Sequence, residues 1–517
     1  MRVIHDLSGL SNGIVEAKNE ALSSFGDASL LLEKYFTNVK HIEVQIIGDT
    51  HGNVSNLLDR ECSVQRRHQK IIEEAPSPSI SHSVRKKLLE TAEIIGKSIN
   101  YYSLGTVEFI YDCESQEFYF LEVNTRLQVE HPVTEFITNF DLVLLQIRIA
   151  EGHSLTELGI PTNGELIQPI GHSIECRLCS EDPLNNFFPS IGKILHWEPS
   201  NMIENSNYVR FDCSISSGSE ISIFYDPMIA KIICWAENRA DAVLILTQLL
   251  KHTVILGVST NKEFLSWILN HPSFVDSSFA TNFIDRFFPT NEILKIHSQK
   301  INDFKDLISI AAFVKDWKMI NDKRTLLSHL PSGWRNNRSN SFSDYQVKLF
   351  IFSSPQGGDI LLKLKYKINS SWRKSQFPSF EVEIENQEYS VELVSVDGVK
   401  MNISVNGHLE SFAVVNHADT FYIHSNYGNF TLQKRSRLYN PEDEVEEISN
   451  NIISPMPARI LQLLVNDGDA VTIGQPLLVV ESMKMQSTSN SPKDGQVKVF
   501  VKVGDLVDAG TILMSVE

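Results

Sequence analysis

Near the C-terminal end, Val479-Val480-Glu481-Ser482-Met483-Lys484-Met485-Gln486 sets one lysine between two methionines, after an apolar strand and before the polar run Ser487 to Ser491. That pattern predicts a lysine displayed on a hairpin turn. A turn lysine is ordinarily a solvated charge, but here the flanking sequence nearly repeats itself. Asp469, Val471, Gly474, Leu478 and Glu481 find counterparts 36 residues on at Asp505, Val507, Gly510, Met514 and Glu517, and Ser454-Pro455 finds Ser491-Pro492. A second set of chemistry-bearing residues lies far upstream. Glu122, Asn124, Arg126, Gln128 and Glu130 alternate with mostly apolar neighbours, so an extended segment would present acid, amide, guanidinium, amide and acid on one face. With Glu108 and the basic stretch Gln65 to Lys70, these paired acids and oxygen ligands suit magnesium and phosphate.

The elements that position these groups are legible as patterns. Thr106–Tyr111 and Phe118–Asn124 flank a short polar turn and read as a hairpin. A register that opposes Ile110 to Phe120 also opposes Glu108 to Glu122, and two carboxylates so placed repel by about 3–4 kcal/mol at an effective dielectric of 20. A cation is expected between them. Leu31–Phe36 and His41–Asp49 read as strands, and Val84–Ile99 has helical periodicity through Leu88, Leu89, Ala92, Ile95 and Ile99. Around Lys484, the two equivalent halves are each too short to close a core. They are expected to pack face to face as a small flattened barrel with Lys484 at the tip joining them.

At 517 residues the chain exceeds one ordinary core. A net charge of -18 argues against nucleic acid or an anionic membrane as the main partner. No apolar run approaches the ~20 residues that span a bilayer. The six scattered cysteines read as reduced thiols, and Cys176-Arg-Leu-Cys179 sits in a strand rather than a paired metal motif.

The residues from Ser454 to Glu517 resemble the biotinyl domain of biotin-dependent carboxylases, in which the lysine matching Lys484 is joined to biotin; Ser482 stands where the family more often has Ala. Lipoyl domains share the architecture but lack the two methionines. The run Ser63-Val64-Gln65-Arg66-Arg67-His68-Gln69-Lys70 with Glu73-Glu74-Ala75-Pro76, then Glu122 to Glu135, is similar to the biotin carboxylase module, an ATP-grasp enzyme. The similarity continues through Tyr208-Val209-Arg210 and Tyr225 to Lys231, ending about Phe288. The implied fold is α+β and multidomain. A partial ATP-grasp biotin carboxylase occupies 1–288, a helical segment and β-rich domain that links to the beta subunit 289–440, an acidic linker 441–450, and the biotinyl carrier 451–517. The linker, Pro441-Glu-Asp-Glu-Val-Glu-Glu447, is expected to stay extended by self-repulsion.

The resemblance implies a division of labour. ATP activates bicarbonate as carboxyphosphate, and the ureido nitrogen of biotin captures the resulting CO2. Glu108, Glu122 and Asn124 are assigned to magnesium (or manganese) and the ATP phosphates, Glu130 to the base that takes the bicarbonate proton, and Arg126, Gln128, Val129 and Lys70 to the anion. Arg210 is assigned to the enolate-like biotin oxygen, His41, Gln65 and His68 to the nucleotide site, and Glu33, Lys34 and Phe36 to the adenine. Lys484 and its biotin form an arm of about ten bonds, roughly a dozen ångströms, so the carrier domain has to travel.

Phe288 to Asn450 leaves no room for a carboxyltransferase, which implies the alpha subunit of an acyl-CoA carboxylase with its transferase on a beta subunit. It would also be a client of biotin protein ligase and part of a hetero-oligomer. The Gln65–Glu74 run, Asn185-Asn186-Phe187 and Leu256–Asn261 lean toward 3-methylcrotonyl-CoA carboxylases of leucine degradation over propionyl-CoA or acetyl-CoA relatives. The mitochondrial matrix is expected in a eukaryote, the cytoplasm otherwise. In the family a glycine-rich loop precedes the position of Met1, so this sequence is expected to lack an N-terminal part and its targeting peptide, and not to carboxylate biotin unaided. A non-catalytic biotinylated carrier or assembly subunit is the competing expectation.

Overall fold

The computed structural model describes residues 3–4, 6–162, 167–201, 208–323, 346–352, 360–368, 378–435, 451–454, 457–482, 485–508 and 510–516. Met483, Lys484 and the acidic linker lie outside the described residues, as does the Gly/Ser/Asn-rich stretch 331–340. Among the described residues no helix is long and apolar enough to cross a membrane.

After helix α1 (Leu10–Phe25), the first module is built on eight antiparallel strands. They are β1 (Val39–Gly48), β2 (Val54–Arg66), β3 (Gln69–Ala75), β4 (Ser103–Asp112), β5 (Phe118–Asn124), β6 (His172–Cys179), β7 (Val209–Cys213) and β8 (Met228–Ala236), in the spatial order β7-β8-β6-β3-β2-β1-β4-β5. Along β1 the even residues Ile42, Val44 and Ile46 enter a core with Leu88, Leu89 and Ala92 of α2 (His82–Ser98). The odd residues His41, Glu43 and Gln45 therefore face the other side, as the two-residue pleat requires. β6 divides the same way. Ile174 and Cys176 pack with Leu246, Leu249 and Leu250 of α5 (Arg239–His252), which leaves Glu175 and Arg177 on the opposite face. That face is covered by the short helix α3 (His131–Thr138), followed by α4 (Leu142–Ala150).

Three local expectations change. Leu31–Phe36 has no strand partner and runs as coil, with Leu31 and Leu32 more than four-fifths exposed, so its apolar run does not report burial. The hairpin opposes Glu108 to Glu122 as expected, but a bulge beside Glu108 brings Phe109 opposite Phe120 and Ile110 opposite Tyr119. The strand also ends at Asn124, so the segment to Glu130 is not extended. Gln128 and Glu130 turn inward while Arg126 stays in solvent.

Helix α6 (Lys262–Leu269) packs into this module, followed by Phe274, Phe279, Phe283 and Phe288 in the same core, and α7 (Thr290–Asp322) leaves it. Ile308 to Val314 are buried at every position, on all sides of the helix. Such a helix needs a surround. It is supplied by a closed eight-stranded barrel: β9 (Gln346–Phe352), β10 (Ile360–Ile368), β11 (Ser379–Ile384), β12 (Gln387–Asp397), β13 (Lys400–Val405), β14 (His408–His417), β15 (Thr420–Ser425) and β16 (Gly428–Arg435). The barrel closes by pairing β9 with β16. Phe350, Leu362, Phe380, Val391, Ile403 and Phe421 of the wall share one core with Phe313 and Ile310 of the helix.

The last unit has two four-stranded sheets, β17-β24-β22-β19 and β21-β20-β18-β23. The strands are β17 (Asn451–Ile453), β18 (Ala458–Leu463), β19 (Ala470–Val471), β20 (Pro476–Ser482), β21 (Met485–Asn490), β22 (Gly495–Val499), β23 (Leu506–Val507) and β24 (Ile512–Val516). The internal repeat is realised as two-fold equivalent turns. Gly474 N–H donates to Ser491 O and Gly510 N–H to Ser454 O, both at 2.8 Å, with the two glycines at φ 80 and 81°. β20 and β21 pair as far as Ser482 opposite Met485, so the chain between them is the two residues that include Lys484.

Candidate active site

The site is written across the ladder. Arg60 of β2, Glu43 of β1, Glu108 of β4 and Glu122 of β5 stand in one row, each opposite the next. Three acids in adjacent positions need cations, and Lys70 of β3 provides one from the neighbouring strand. Its ammonium lies 2.6 Å from Glu43, 2.9 Å from Glu108 and 2.7 Å from Glu130. Burial works against that charge, but Glu43, with Glu130 and Glu108, holds the amine protonated well above its ordinary range. Burial likewise pushes the carboxyls of Glu43 and Glu108 up. Arg60 and Lys70 on Glu43, and His41 and Lys70 on Glu108, overcome it and keep both below the ordinary carboxylate range.

Arg60 is completely buried, and its guanidinium fans out to Glu43, Gln45 (2.7 Å), Thr134 (3.0 Å) and Gln128 (2.8 Å). Gln128, held through its carbonyl, donates its amide to Glu108 at 2.7 Å. His41 stands 2.8 Å from the other Glu108 oxygen through Nε2, and its Nδ1 faces the Gln65 amide at 2.7 Å. Asn124 stands between Glu108 and Glu122, and its amide donates to both, at 3.0 and 3.1 Å. These are hard oxygen donors of the kind magnesium takes, with Glu122 exposed and Glu108 buried. Lys70, Gln128, Asn124 and His41 all meet Glu108 through nitrogen. His41, Glu43 and Glu108 offer a second donor set, their ligand atoms all within 4.8 Å of one another.

Glu130 sits at the N-terminus of α3, 2 % exposed, with one oxygen on Lys70 and the other 3.0 Å from Arg177. The helix N-terminus favours an anion at that position. Arg177 is fixed in turn by Glu73 at 2.6 Å. The Val129 carbonyl accepts from Lys231 at 2.8 Å. Thus Lys70, Glu108, Glu130, Gln128, His41, Gln65 and Asn124 converge, with Val129 and Glu122 at the margin.

Other predicted residues stand apart from that cluster. Arg210 on β7 is bound by Asp212 (2.6 and 2.9 Å) and Glu135 of α3 (2.7 Å), at the rim of a cavity of about 330 Å³ lined by Phe136, Asn139, Phe140 and Asp141. Arg126 is exposed and donates to the adjacent Leu127 carbonyl. His68 is exposed on the β2–β3 turn, which takes positive φ at Arg67 and His68. Glu33 and Lys34 lie in exposed coil, and Phe36 stacks on Tyr119 of β5 at 5.1 Å.

Sequence reasoning missed Glu43, Arg60, Glu73, Arg177 and Lys231. The signal was present in two strands. His41-Ile-Glu43-Val-Gln45 and Ser173-Ile-Glu175-Cys-Arg177 alternate polar with apolar residues, yet both faces are buried. A polar residue on a doubly covered strand needs partners.

Three family models match the chain. Carbamoyl-phosphate synthase L chain, ATP binding domain, matches residues 1–158; Biotin carboxylase C-terminal domain, 175–286; and Biotin-requiring enzyme, 450–516. The methylcrotonoyl-CoA carboxylase subunit alpha of Dictyostelium discoideum is 33% identical over 504 residues, covering 96% of this chain and 69% of that protein. The propionyl-CoA carboxylase alpha chain of Sus scrofa is 35% identical over 544 residues, covering 100% and 69%. The biotin carboxylase domain of the Hydrogenobacter thermophilus 2-oxoglutarate carboxylase, solved with MgADP, ADP and bicarbonate, aligns with TM-score 0.52 at 41% identity. That alignment covers 55% of this chain, which spans 61% of that domain. With three family models matched along the chain and relatives of 33–35% identity spanning nearly all of it, the chain belongs to the family of biotin-dependent acyl-CoA carboxylase alpha subunits.

Proposed function

We propose that this chain carries biotin on Lys484, takes part in its ATP- and bicarbonate-dependent carboxylation, and delivers the carboxyl group to 3-methylcrotonyl-CoA on a carboxyltransferase beta subunit. The observation that carries the chemical part is Lys70 bridging Glu43, Glu108 and Glu130. Bicarbonate entering between Lys70 and Glu130 would meet a cation for its charge and a carboxylate within reach of its proton, which is what general base catalysis requires. Gln128, aimed by Arg60, would orient the anion. Glu108 and Glu122, with Asn124, would hold the magnesium that neutralises the phosphates of ATP. Biotin supplies the ureido nitrogen that accepts the carboxyl group. Arg210, released from Glu135 or Asp212, would face the charge that develops on its oxygen.

The methylcrotonyl assignment rests on the Gln65–Glu74 run and on relatives such as that of Dictyostelium discoideum; the Sus scrofa protein supports propionyl-CoA as the alternative. The relatives' names support a mitochondrial location and a beta partner. Biotin protein ligase would attach the cofactor. The test has two arms. In the complex with its beta subunit, bicarbonate-dependent ATP hydrolysis should be lost in Glu130→Gln, and its persistence in that variant removes the base. Capture of the biotinylated chain with its beta partner should yield methylcrotonyl-CoA carboxylation, and a complex selective for propionyl-CoA replaces the acyl assignment.

A further inference from the structure

Behind Glu130 lies a second acidic group that the reaction as described does not use. Glu175 of β6 stands opposite Glu73 of β3 in the ladder and is fully buried. Among the described residues neither oxygen of Glu175, nor the second oxygen of Glu73, has a hydrogen-bond partner. Buried polar groups are nearly always paired, so two adjacent carboxyls with three unmet oxygens call for an account. Burial pushes both carboxyls up, Glu73 to about 7. The single strong contact of the pair is Glu73 to Arg177, at 2.6 Å, and Arg177 reaches forward to Glu130 at 3.0 Å. Lys70 holds the opposite oxygen of Glu130, so the carboxylate is fixed at both ends by cations from two different strands.

We infer that Arg177, anchored by Glu73, is a positioning residue for Glu130: its guanidinium holds one carboxylate oxygen so that the other faces Lys70, where bicarbonate is to be bound. This rests on the reading of Glu130 as the base. A planar guanidinium suits the task, since it can meet two carboxylates in a fixed fork while a lysine offers a mobile point charge. Glu73, left with one oxygen unbonded, gives all of its directional contact to Arg177, and Glu175 beside it crowds that carboxyl rather than competing for the guanidinium. The groups facing the clamp are Lys70 and Glu73 on β3, Glu175 on β6, Lys231 on β8, and Glu43 and Cys62 on β1 and β2.

The full chain is compared with Arg177→Gln, Arg177→Lys and Glu73→Gln. Crystal structures at one pH should show the Glu130 carboxylate turned away from Lys70 in Arg177→Gln, partly restored in Arg177→Lys, and displaced to a lesser extent in Glu73→Gln. Retention of the Lys70–Glu130 contact in all three overturns the proposal, whether or not the chain turns over ATP. In bicarbonate-dependent hydrolysis by the complex with the beta subunit, kcat should fall about 100-fold in Arg177→Gln, the scale of a misplaced catalytic group, while KM for MgATP changes less than twofold and the lysine variant recovers part of the loss. Equal loss in kcat and MgATP affinity marks a merely structural arginine and also overturns it. A wild-type complex with the beta subunit that shows no hydrolysis counts against the proposed function, and the structural comparison then decides the positioning role by itself. Should Arg177→Gln fail to fold, Glu73→Gln carries both measurements.

Discussion

Lys70 answers three carboxylates with one ammonium, so the charge balance of the cluster rests on that side chain. Removing one partner of a buried ionic set leaves uncompensated charge. Lys70→Met should therefore destabilise the module by about 3–5 kcal/mol near pH 7, measured by urea unfolding. The loss should shrink toward pH 4, where the abandoned carboxyls take up protons. An unchanged midpoint at pH 7 would show that the three acids are already screened by other groups. Glu175 supplies a test of opposite sign. Burial raises its carboxyl in the folded state, so between its ordinary value and the raised one the unfolded chain has lost a proton that the folded chain keeps, and stability falls as pH rises. Glutamine cannot titrate. The melting temperature of Glu175→Gln minus that of wild type should accordingly grow from pH 4 to pH 8, and a flat difference would mean that Glu175 is ionised in the fold.

Elements were legible where one pattern governed them, and obscure where two competed. The hairpin that opposes Glu108 to Glu122, α2 and the repeat around Lys484 follow from period and turn residues; the hairpin register singled out Glu108, and the long motifs Lys70 and Glu130. The same reasoning extended β5 to Glu130, because alternation in sequence looks alike in a strand and in an irregular loop whose side chains take turns facing inward. Leu31–Phe36 misled for a different reason: its apolar side chains are largely in solvent. In the barrel, β14 and β16 are hard to read from sequence, as charged and polar positions in His408–His417 and Gly428–Arg435 obscure the shared face of Phe412 with Val414 and of Phe430 with Leu432. The helix within the barrel gives a clear prediction. Phe313 is fully buried, edge-on to Phe380 at 5.1 Å, so Phe313→Ala should cost about 3–5 kcal/mol, read as a lowered denaturation midpoint of the barrel. At the carrier, Gly474 and Gly510 occupy the same left-handed turn, with open space where a Cβ would stand. Backbone strain is then the whole effect. Gly474→Ala and Gly510→Ala should each cost about 1–2 kcal/mol, and similarly. Widely unequal losses would show that the two-fold resemblance is not energetic.

At the scale of the molecule, the barrel is docked on the first module by a contact that mixes apolar and ionisable groups. Val254 and Leu256, on the strand just before α6, pack with Ala413 and Tyr422 of the barrel. Glu263 accepts from the Asn429 backbone and pairs with Lys300 of α7, against Gly428, where a side chain would collide with both. Beside them Lys262 is buried, donating to Thr253 O at 2.8 Å and lying 3.2–3.3 Å from Asn429 and His424 of the barrel. Burial, helped by the like charge of Lys300, drives its amine down to about 7, and burial likewise drives His424 down to about 3. The unfolded chain keeps the Lys262 proton to about pH 10, the ordinary lysine range. Between pH 7 and 10 it therefore binds more protons than the folded chain, so stability from this group rises with pH across that window and is least below it. Lys262→Met removes the titration while keeping most of the volume. In thermal melts of the full chain, wild type should gain on Lys262→Met as pH is raised from 7 to 10. If the difference between the two stays level, Lys262 is charged in the folded interface, and Glu263 rather than burial sets its state.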